Sequence, residues 1–447
     1  QSKGVGTSLK HFAANNQETD RMRSSSEEDE RTLREIYLPA FEEVVRTTDP
    51  AMVMCSYNRL NGVYASQDPW LLTTLLRDEW GFNGTVVSDW GAVVDRVEAV
   101  RAGLDLEMPP SGTDDRIVDA VNRGELDESV LDTVVERLTR LQEKVGADTT
   151  RLLDHQAHQE VARQAAAEAL VLLKNDGDVL PLVPGRSVAV IGEFARTPRY
   201  QGGGSSHMVP TRVSSALEAF EEVSGEFPVR FAPGFTLDGT EAPELVDEAV
   251  TLAADAHTTV LFLGLPEAWE SEGFDRTDIT LPTDQRELLA RVRRVSTRVV
   301  VVLSNGGVVS VADWQDDTDA VLEGWLLGQE GGTATVDVLT GAVGPSGRLT
   351  ETIPLRLSDH ASYLNFPGEH GYVRYGEGVF VGYRHFDTLD RPVAHPFGFG
   401  LTYTTFAHSD LEVSENGTNA WTVAFTVTNT GGRVGREVAQ LYTCSEQ

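Results

Sequence analysis

The chain has 447 residues, 40% of them hydrophobic and 24% charged, a balance that fits an ordinary globular protein and excludes a disordered one. It is too long for a single core, so about three domains are expected. With 69 acidic against 37 basic residues, the formal charge of −32 excludes nucleic acid and anionic membrane as partners and suits a neutral or cationic ligand, although an acidic surface also serves solubility.

The first 145 residues alternate short apolar runs with amphipathic segments, which predicts βα units around a parallel sheet, about half a barrel. Strands are expected at 7–12, 51–56, 84–88 and 104–108. Helices are expected over 26–47, capped by Ser24-Ser25-Ser26, and over 69–79, 92–102, 114–123 and 128–145. The polar stretch 146–158 reads as a linker. A second alternation occupies 159–345, with an Ala-rich helix running to Lys174, the turn Asn175-Asp176-Gly177, strands at 187–191, 258–263, 298–303 and 320–325, and helices at 214–223, 242–256, 283–295 and 333–339. This predicts a sheet covered on both faces. The connecting segment 346–403 is rich in aromatics, among them Tyr372, Tyr375, Phe380, Tyr383 and Phe386, which either line a sugar site or pack beneath a long loop. From 404 to 447 the alternation of Trp421 to Val427, followed by Asn429-Thr430-Gly431-Gly432, predicts strands of an unfinished β-sandwich. The fold class is therefore α/β: a partial barrel-like domain, an α/β sandwich and an incomplete β-sandwich. The opening Gln1-Ser2-Lys3 reads as a start inside a domain, and leaves a signal peptide and the compartment open. The two cysteines, Cys55 and Cys444, are too far apart to suggest a disulfide framework, and Cys55 reads as a buried structural thiol.

The run from Gly84 to Ala92 delivers Asp89 to the end of an expected strand, with the Trp90 indole beside it. A carboxylate there can attack the anomeric carbon of a sugar if a second carboxyl group protonates the departing oxygen. Functional side chains of parallel βα folds gather where strands end, and His11, Tyr57 and Asp89 all fall at such ends. Lys10 and His11 supply two possible cations that would bind sugar hydroxyls and keep a neighbouring Asp ionised. Glu18 and Arg21, at helical spacing, read better as an ion pair. The second carboxyl is sought in the loop after Val260-Leu261-Phe262-Leu263, where Glu267, Glu270 and Glu272 crowd near Trp269 and Phe274. Mutual repulsion and desolvation raise a carboxyl pKa, as a general acid requires, and a solvated acidic loop is the plain alternative. Gly202-Gly203-Gly204-Ser205-Ser206 lacks the lysine and spacing of a phosphate loop; close approach to a bulky neutral ligand, with Ser205 donating to a hydroxyl, fits better. Sequence spacing gives His11 no partner ligands for a metal.

These segments together resemble glycoside hydrolase family 3, in the branch of β-glucosidases and related exo-acting enzymes. The matching stretches are Lys10-His11-Phe12 through Asp20-Arg21, Val53 to Asn58, Ser88-Asp89-Trp90-Gly91, Val171 to Gly177, Ser271 to Arg276, Tyr383 to Asp387 and Pro396 to Leu401, in the family's order. The resemblance implies a (β/α)8 barrel-like domain, a six-stranded α/β sandwich and a fibronectin-type-III-like domain, with the active site between the first two. On this chain it covers the C-terminal half of the barrel and part of the last domain. The first half, which in relatives supplies an Asp and an Arg to the terminal sugar, has no counterpart here.

The implied activity is retaining hydrolysis of terminal β-linked sugars, with β-xylosidase-type specificity and a non-catalytic carbohydrate-binding fragment as alternatives. The resemblance makes Asp89 the nucleophile and Glu272 the acid/base, because Glu272 precedes the glycine of a Ser-Glu-Gly-aromatic pattern; Glu270 is the second choice. It makes Lys10, His11, Tyr57, Trp90, Met54 and Ser205 substrate contacts. No cofactor is implied. The expected partner is a small β-glycoside or oligosaccharide, together with a second copy of the chain or a complementary segment that supplies the missing half barrel. A branch acting on N-acetylglucosaminides uses an Asp-His dyad after Lys-His-Phe, and residues 13–21 contain no histidine.

Overall fold

The structure is a computed structural model that describes residues 1, 4–146, 153–418 and 420–443. Most of the expected linker, 147–152, and Cys444 lie outside the described residues. The chain forms two compact units. The first comprises Gln1–Leu153, Gly273–Asp275 and Ala361–His385; the second comprises Asp154–Glu272, Arg276–His360 and Phe386–Gln447.

In the first unit, strands β1 (Ser8–Phe12), β2 (Met52–Cys55) and β3 (Thr85–Ser88) form a parallel sheet in that order, close to three of the expected positions. Val53, Cys55 and Val86 are fully buried in a core shared with Phe12 and with Leu71, Leu72, Leu75 and Leu76 of the helix Trp70–Glu79. A strand covered in this way reads as an unbroken apolar run rather than an alternation. The fourth expected strand, 104–108, is reduced to one parallel bridge between Val87 and Leu106. Asp105 accounts for the difference, because its carboxylate takes the Val86 N–H at 2.8 Å, and Pro109 then ends the segment with no N–H to offer.

Asp105 is almost completely buried and also meets Arg77 at 2.7 Å and Arg137 at 3.0 Å. These arginines belong to Trp70–Glu79 and Glu128–Lys144, so a single carboxylate ties two helices to β3.

The helix expected from residue 26 begins later, and its serine cap is not observed. Ser25–Glu27 is instead a strand in a small four-stranded sheet with Tyr372–Arg374, Arg59–Leu60 and Val63–Tyr64. Ser26 Oγ donates to the Ala14 carbonyl at 2.8 Å, and the capping is done by Asp29, which accepts from the Thr32 N–H at 2.9 Å. The later helix Arg96–Ala102 begins on Asp95, whose carboxylate accepts from Val97 and Glu98, and ends on Gly103 at φ 113°, a conformation that favours glycine. The aromatic segment contributes core rather than lining at Tyr375: this ring is buried, and its hydroxyl donates to the Ala14 carbonyl at 2.9 Å.

The second unit is built on six strands: β4 (Val171–Asn175), β5 (Val188–Ile191), β6 (Val229–Ala232), β7 (Thr258–Gly264), β8 (Val299–Ser304) and β9 (Ala320–Glu323). They lie in the order β4-β9-β8-β7-β5-β6, with β4 antiparallel to β9 and the others parallel. The Ala-rich helix is His155–Ala169 and stops short of the expected Lys174, because Val171-Leu172-Leu173 forms the buried edge strand β4. A short apolar run of this kind cannot be assigned to helix or strand by periodicity alone. The strand β6 was not expected; it is short, and its burial is mixed, from the exposed Arg230 to the fully buried Ala232. From β5 the chain moves outward to β6 and then crosses back to β7 on the other side of β5. The strand order therefore reverses between β5 and β7, where the carboxyl ends of the strands leave a crevice in folds of this kind.

After residue 404 the described strands are Phe406–Gly417 and Ala420–Asn429, which form an antiparallel pair with mostly exposed side chains. No helix among the described residues is long and apolar enough to cross a membrane.

Removing one partner from a buried ion pair strands the other charge. Asp105→Ala is therefore expected to lower the unfolding free energy by about 3–5 kcal/mol in urea titration; a loss below about 1 kcal/mol would show that the arginines find other partners.

Candidate active site

In the first unit the polar residues at the strand ends converge. His11 sits near the end of β1 and Asp89 directly follows β3, and His11 Nε2 lies 3.3 Å from Asp89 Oδ2 across the end of β2. The Asp89 backbone is fixed by its N–H to the Cys55 carbonyl at 3.2 Å, and its Oδ1 accepts the Trp90 N–H at 2.7 Å. Burial pushes the His11 pKa below its ordinary value, Lys10 adds to that effect, and the attraction of Asp89 does not reverse it. At neutral pH the ring is therefore mainly the uncharged imidazole, standing beside the Asp89 carboxylate.

Lys10 is exposed on β1, Met54 is buried on β2, Tyr57 is buried just beyond β2, and the Trp90 indole is about half exposed. The Arg21 guanidinium lies 4.8 Å from the centre of the Tyr57 ring and pairs with Glu18 at 3.0 Å, so the ion pair expected for Glu18 and Arg21 is present. Cys55 is fully buried and its thiol pKa is pushed up to about 12 by desolvation, which makes it inert packing. Sequence reasoning missed a clasp in the same unit. The Glu18 and Thr19 N–H groups donate to the Asp275 carboxylate at 3.0 and 2.8 Å, and the Gly273 N–H donates to Glu18 Oε2 at 2.8 Å. These residues are too far apart in the chain for spacing to reveal the contact.

In the second unit the acidic loop leaves β7 at the point where the strand order reverses. Its root is fixed by the buried Gln285 amide, which donates to the Gly264 carbonyl at 2.9 Å and accepts the Gly264 N–H at 2.8 Å. The three glutamates then divide. Glu267 is exposed and pairs with His207 Nε2 at 3.0 Å.

Glu270 is partly buried and accepts the Gly306 and Gly307 N–H groups at 2.7 and 2.6 Å, while Arg276 lies at 3.0 Å and Arg199 completes the cage. Burial pushes its pKa upward, but the two amides and Arg199 outweigh burial and hold it below the ordinary glutamate value. The expected rise in pKa through crowding is thus overturned at this position, and an ion held by four donors is a poor proton donor.

Glu272 accepts the Ser205 backbone N–H at 2.5 Å. The glycine loop approaches this same glutamate: a Cβ on Gly204, which sits at φ +79°, would fall 2.4 Å from Glu272 Oε2, and one on Gly203 would fall 2.4 Å from Ser271 Oγ. Among the described residues no group of three or more His, Cys, Asp or Glu is arranged to hold a metal ion.

Comparison with known proteins agrees with this layout. Residues 1–141 match the glycosyl hydrolase family 3 N terminal domain and residues 170–383 match the glycosyl hydrolase family 3 C-terminal domain. The chain is 53% identical to an exo-α-(1→6)-L-arabinopyranosidase of Bifidobacterium longum and 48% identical to the thermostable β-glucosidase B of Acetivibrio thermocellus, in each case over 99% of this chain and 60% of the relative. A family 3 β-glucosidase of Bifidobacterium adolescentis superposes with a TM-score of 0.93 at 54% identity, over 96% of this chain and 64% of that one. The chain thus spans about 60% of the length of the curated relatives it matches.

Because the Glu270 cage favours the ionised form, its stabilising contribution is complete above the ordinary glutamate pKa and is lost as pH falls through the lower, folded value. Denaturant titrations of Glu270→Ala should show a deficit of about 3–5 kcal/mol at pH 7 that narrows under acid conditions. A deficit that stays constant across the acid range would contradict the cage.

Proposed function

Because the chain belongs to glycosyl hydrolase family 3, we propose that this protein hydrolyses terminal non-reducing β-linked sugars with retention of configuration, and that β-glucosides are its principal substrates. The observation that carries the reading is the Asp89 carboxylate, held at the end of a parallel strand by one amide and flanked by a mainly uncharged imidazole. In the first step an Asp89 oxygen bonds to the anomeric carbon while the bond from that carbon to the leaving oxygen breaks, and Glu272 gives its proton to that oxygen. In the second step Glu272 takes a proton from water, the water oxygen bonds to the anomeric carbon, and the ester to Asp89 opens. Retention calls for the two carboxyl groups to work about 5–5.5 Å apart.

The environments of the acidic residues support these roles. Glu270 is caged as an ion, which leaves Glu272 as the better candidate for carrying a proton. Lys10, His11, Tyr57 and Met54 are assigned to the glycone, Trp90 offers an exposed face for stacking on the ring, and Ser205 offers a hydroxyl from the second unit. The substrate is a small β-glycoside or oligosaccharide.

A second specificity is favoured by the 53% identity to an arabinopyranosidase. An α-L-arabinopyranoside has the same disposition of bonds at the anomeric carbon as a β-D-sugar and lacks the exocyclic hydroxymethyl group. Discrimination from a β-glucoside rests on contacts to that group and to the C4 hydroxyl, whose configuration is opposite in the two sugars.

Aryl β-D-glucosides, β-D-xylosides and α-L-arabinopyranosides are to be assayed side by side, and the β-glucoside is expected to give the highest kcat/KM. Asp89→Ala should abolish turnover, and a 2-deoxy-2-fluoro glycoside should add one sugar mass to an Asp89 peptide of the unaltered protein. Glu272→Ala should preserve the first step for a dinitrophenyl leaving group, lose at least about 100-fold on a phenyl one, and recover with azide. Equal activity of that variant on both leaving groups would remove Glu272 from the role.

A further inference from the structure

The small four-stranded sheet of the first unit borders a buried carboxyl group that no donor meets. Glu28 directly follows the strand Ser25–Glu27 and is only 9% exposed, and among the described residues neither of its carboxyl oxygens has a hydrogen-bond partner. Its neighbours make this worse rather than better. Glu27 and Asp29 flank it in the chain, and Glu377, whose own Oε2 is buried and unpartnered, acts on it from the segment after Tyr372–Arg374. Tyr37 and Tyr375, whose ring centres lie 5.0 Å apart, face the same two glutamates and bring only weak acids. The nearby cations do not compensate: His385 acts on Glu377, and Arg374 and His370, together with Glu369, line the open cavity beside Glu28 without pairing with it. Burial, then Glu27, Glu377 and Asp29, push the Glu28 pKa up to about 8.

The backbone holds the side chain in this place. The Glu28 N–H donates to Asn61 Oδ1 at 2.9 Å, and Asn61 Nδ2 donates to the Glu28 carbonyl at 3.0 Å. Asn61, at φ 49°, stands in the turn between Arg59–Leu60 and Val63–Tyr64, so these two bonds clamp the acidic segment to the hairpin. An ionised carboxyl group needs water or donors, and where the clamp keeps it this one has neither.

We propose that Glu28 is a proton-dependent latch: as the neutral acid it closes the clamp on Asn61, and loss of its proton opens the hairpin 59–64. The hairpin begins two residues after Tyr57, so alkaline pH loosens the segment that follows this residue. The direction is set by linkage. In the opened segment Glu28 meets water and regains the ordinary glutamate affinity for a proton, so the closed state holds a proton that the open state releases. Opening is therefore rarest below the ordinary glutamate value, grows by about tenfold per pH unit above it, and levels off once pH passes the folded value of about 8.

Hydrogen exchange tests this without turnover. Protection factors for residues 25–29 and 59–64 of the unaltered protein, followed over roughly pH 6 to 9, should fall by about tenfold per unit and become level near the top of that range. Glu28→Gln keeps the shape of the side chain and cannot ionise, so its protection factors for these residues should not change with pH. Protection that stays constant in the unaltered protein, or an equal fall in the two proteins, overturns the proposal.

Should Glu28→Gln not fold, the unaltered protein still decides. The helix Glu128–Lys144 of the same unit holds none of these groups and serves as the reference. A fall confined to 25–29 and 59–64 supports the latch, and one of the same steepness in the helix overturns it.

Discussion

A carboxylate withdrawn from water must be met by donors if it is to stay charged, and that requirement gives several acidic residues of this protein their character. Asp105 is met by two arginines and an amide and becomes a structural staple. Glu270 is met by two amides and two arginines and is held as an ion. Asp89 receives the Trp90 amide and has the His11 ring 3.3 Å away. Glu272 receives the Ser205 amide. A carboxyl group is common to all four; what separates them is the surroundings each one meets.

The parallel sheets determine where such residues can stand. Strands buried on both faces leave little room for charged side chains along their length, and the fully buried β3 and β7 carry none. Chemistry is therefore displaced to the carboxyl ends, where the backbone turns away and side chains come free. Asp89 follows β3 at such an end in the first unit. In the second, the glycine loop and the acidic loop follow β5 and β7 on either side of the reversal in strand order. Each unit places its polar groups by the same rule.

Much of the fold was legible because the periodicities that mark it are local. β1, β2, β3, β5, β7, β8 and β9 lie close to where apolar runs predict them, and the helices Asp114–Asn122 and Glu128–Lys144 fall nearly on their expected bounds. The failures have particular causes. Val171-Leu172-Leu173 has no period of its own and became strand through pairing with β9. The segment around Leu106 lost its ladder to a side chain, Asp105. Ser25 and Ser26 joined a sheet whose partner strand, Tyr372–Arg374, lies hundreds of residues away.

The sequence by itself determined which chemical groups are available and that they stand at strand ends, because apolar runs and the turns that close them are properties of neighbouring residues. It placed Asp89 after one strand, a cluster of glutamates after another, and a run of glycines between. Only the tertiary structure decided which glutamate is a caged ion, that the glycines make room for Glu272, and that His11 is uncharged beside Asp89. The physical reason is that a proton's affinity for a carboxylate or an imidazole depends on burial and on donors within a few ångströms. Here those donors, Arg199, Gly306, Gly307 and the Ser205 amide, are brought in from distant parts of the chain.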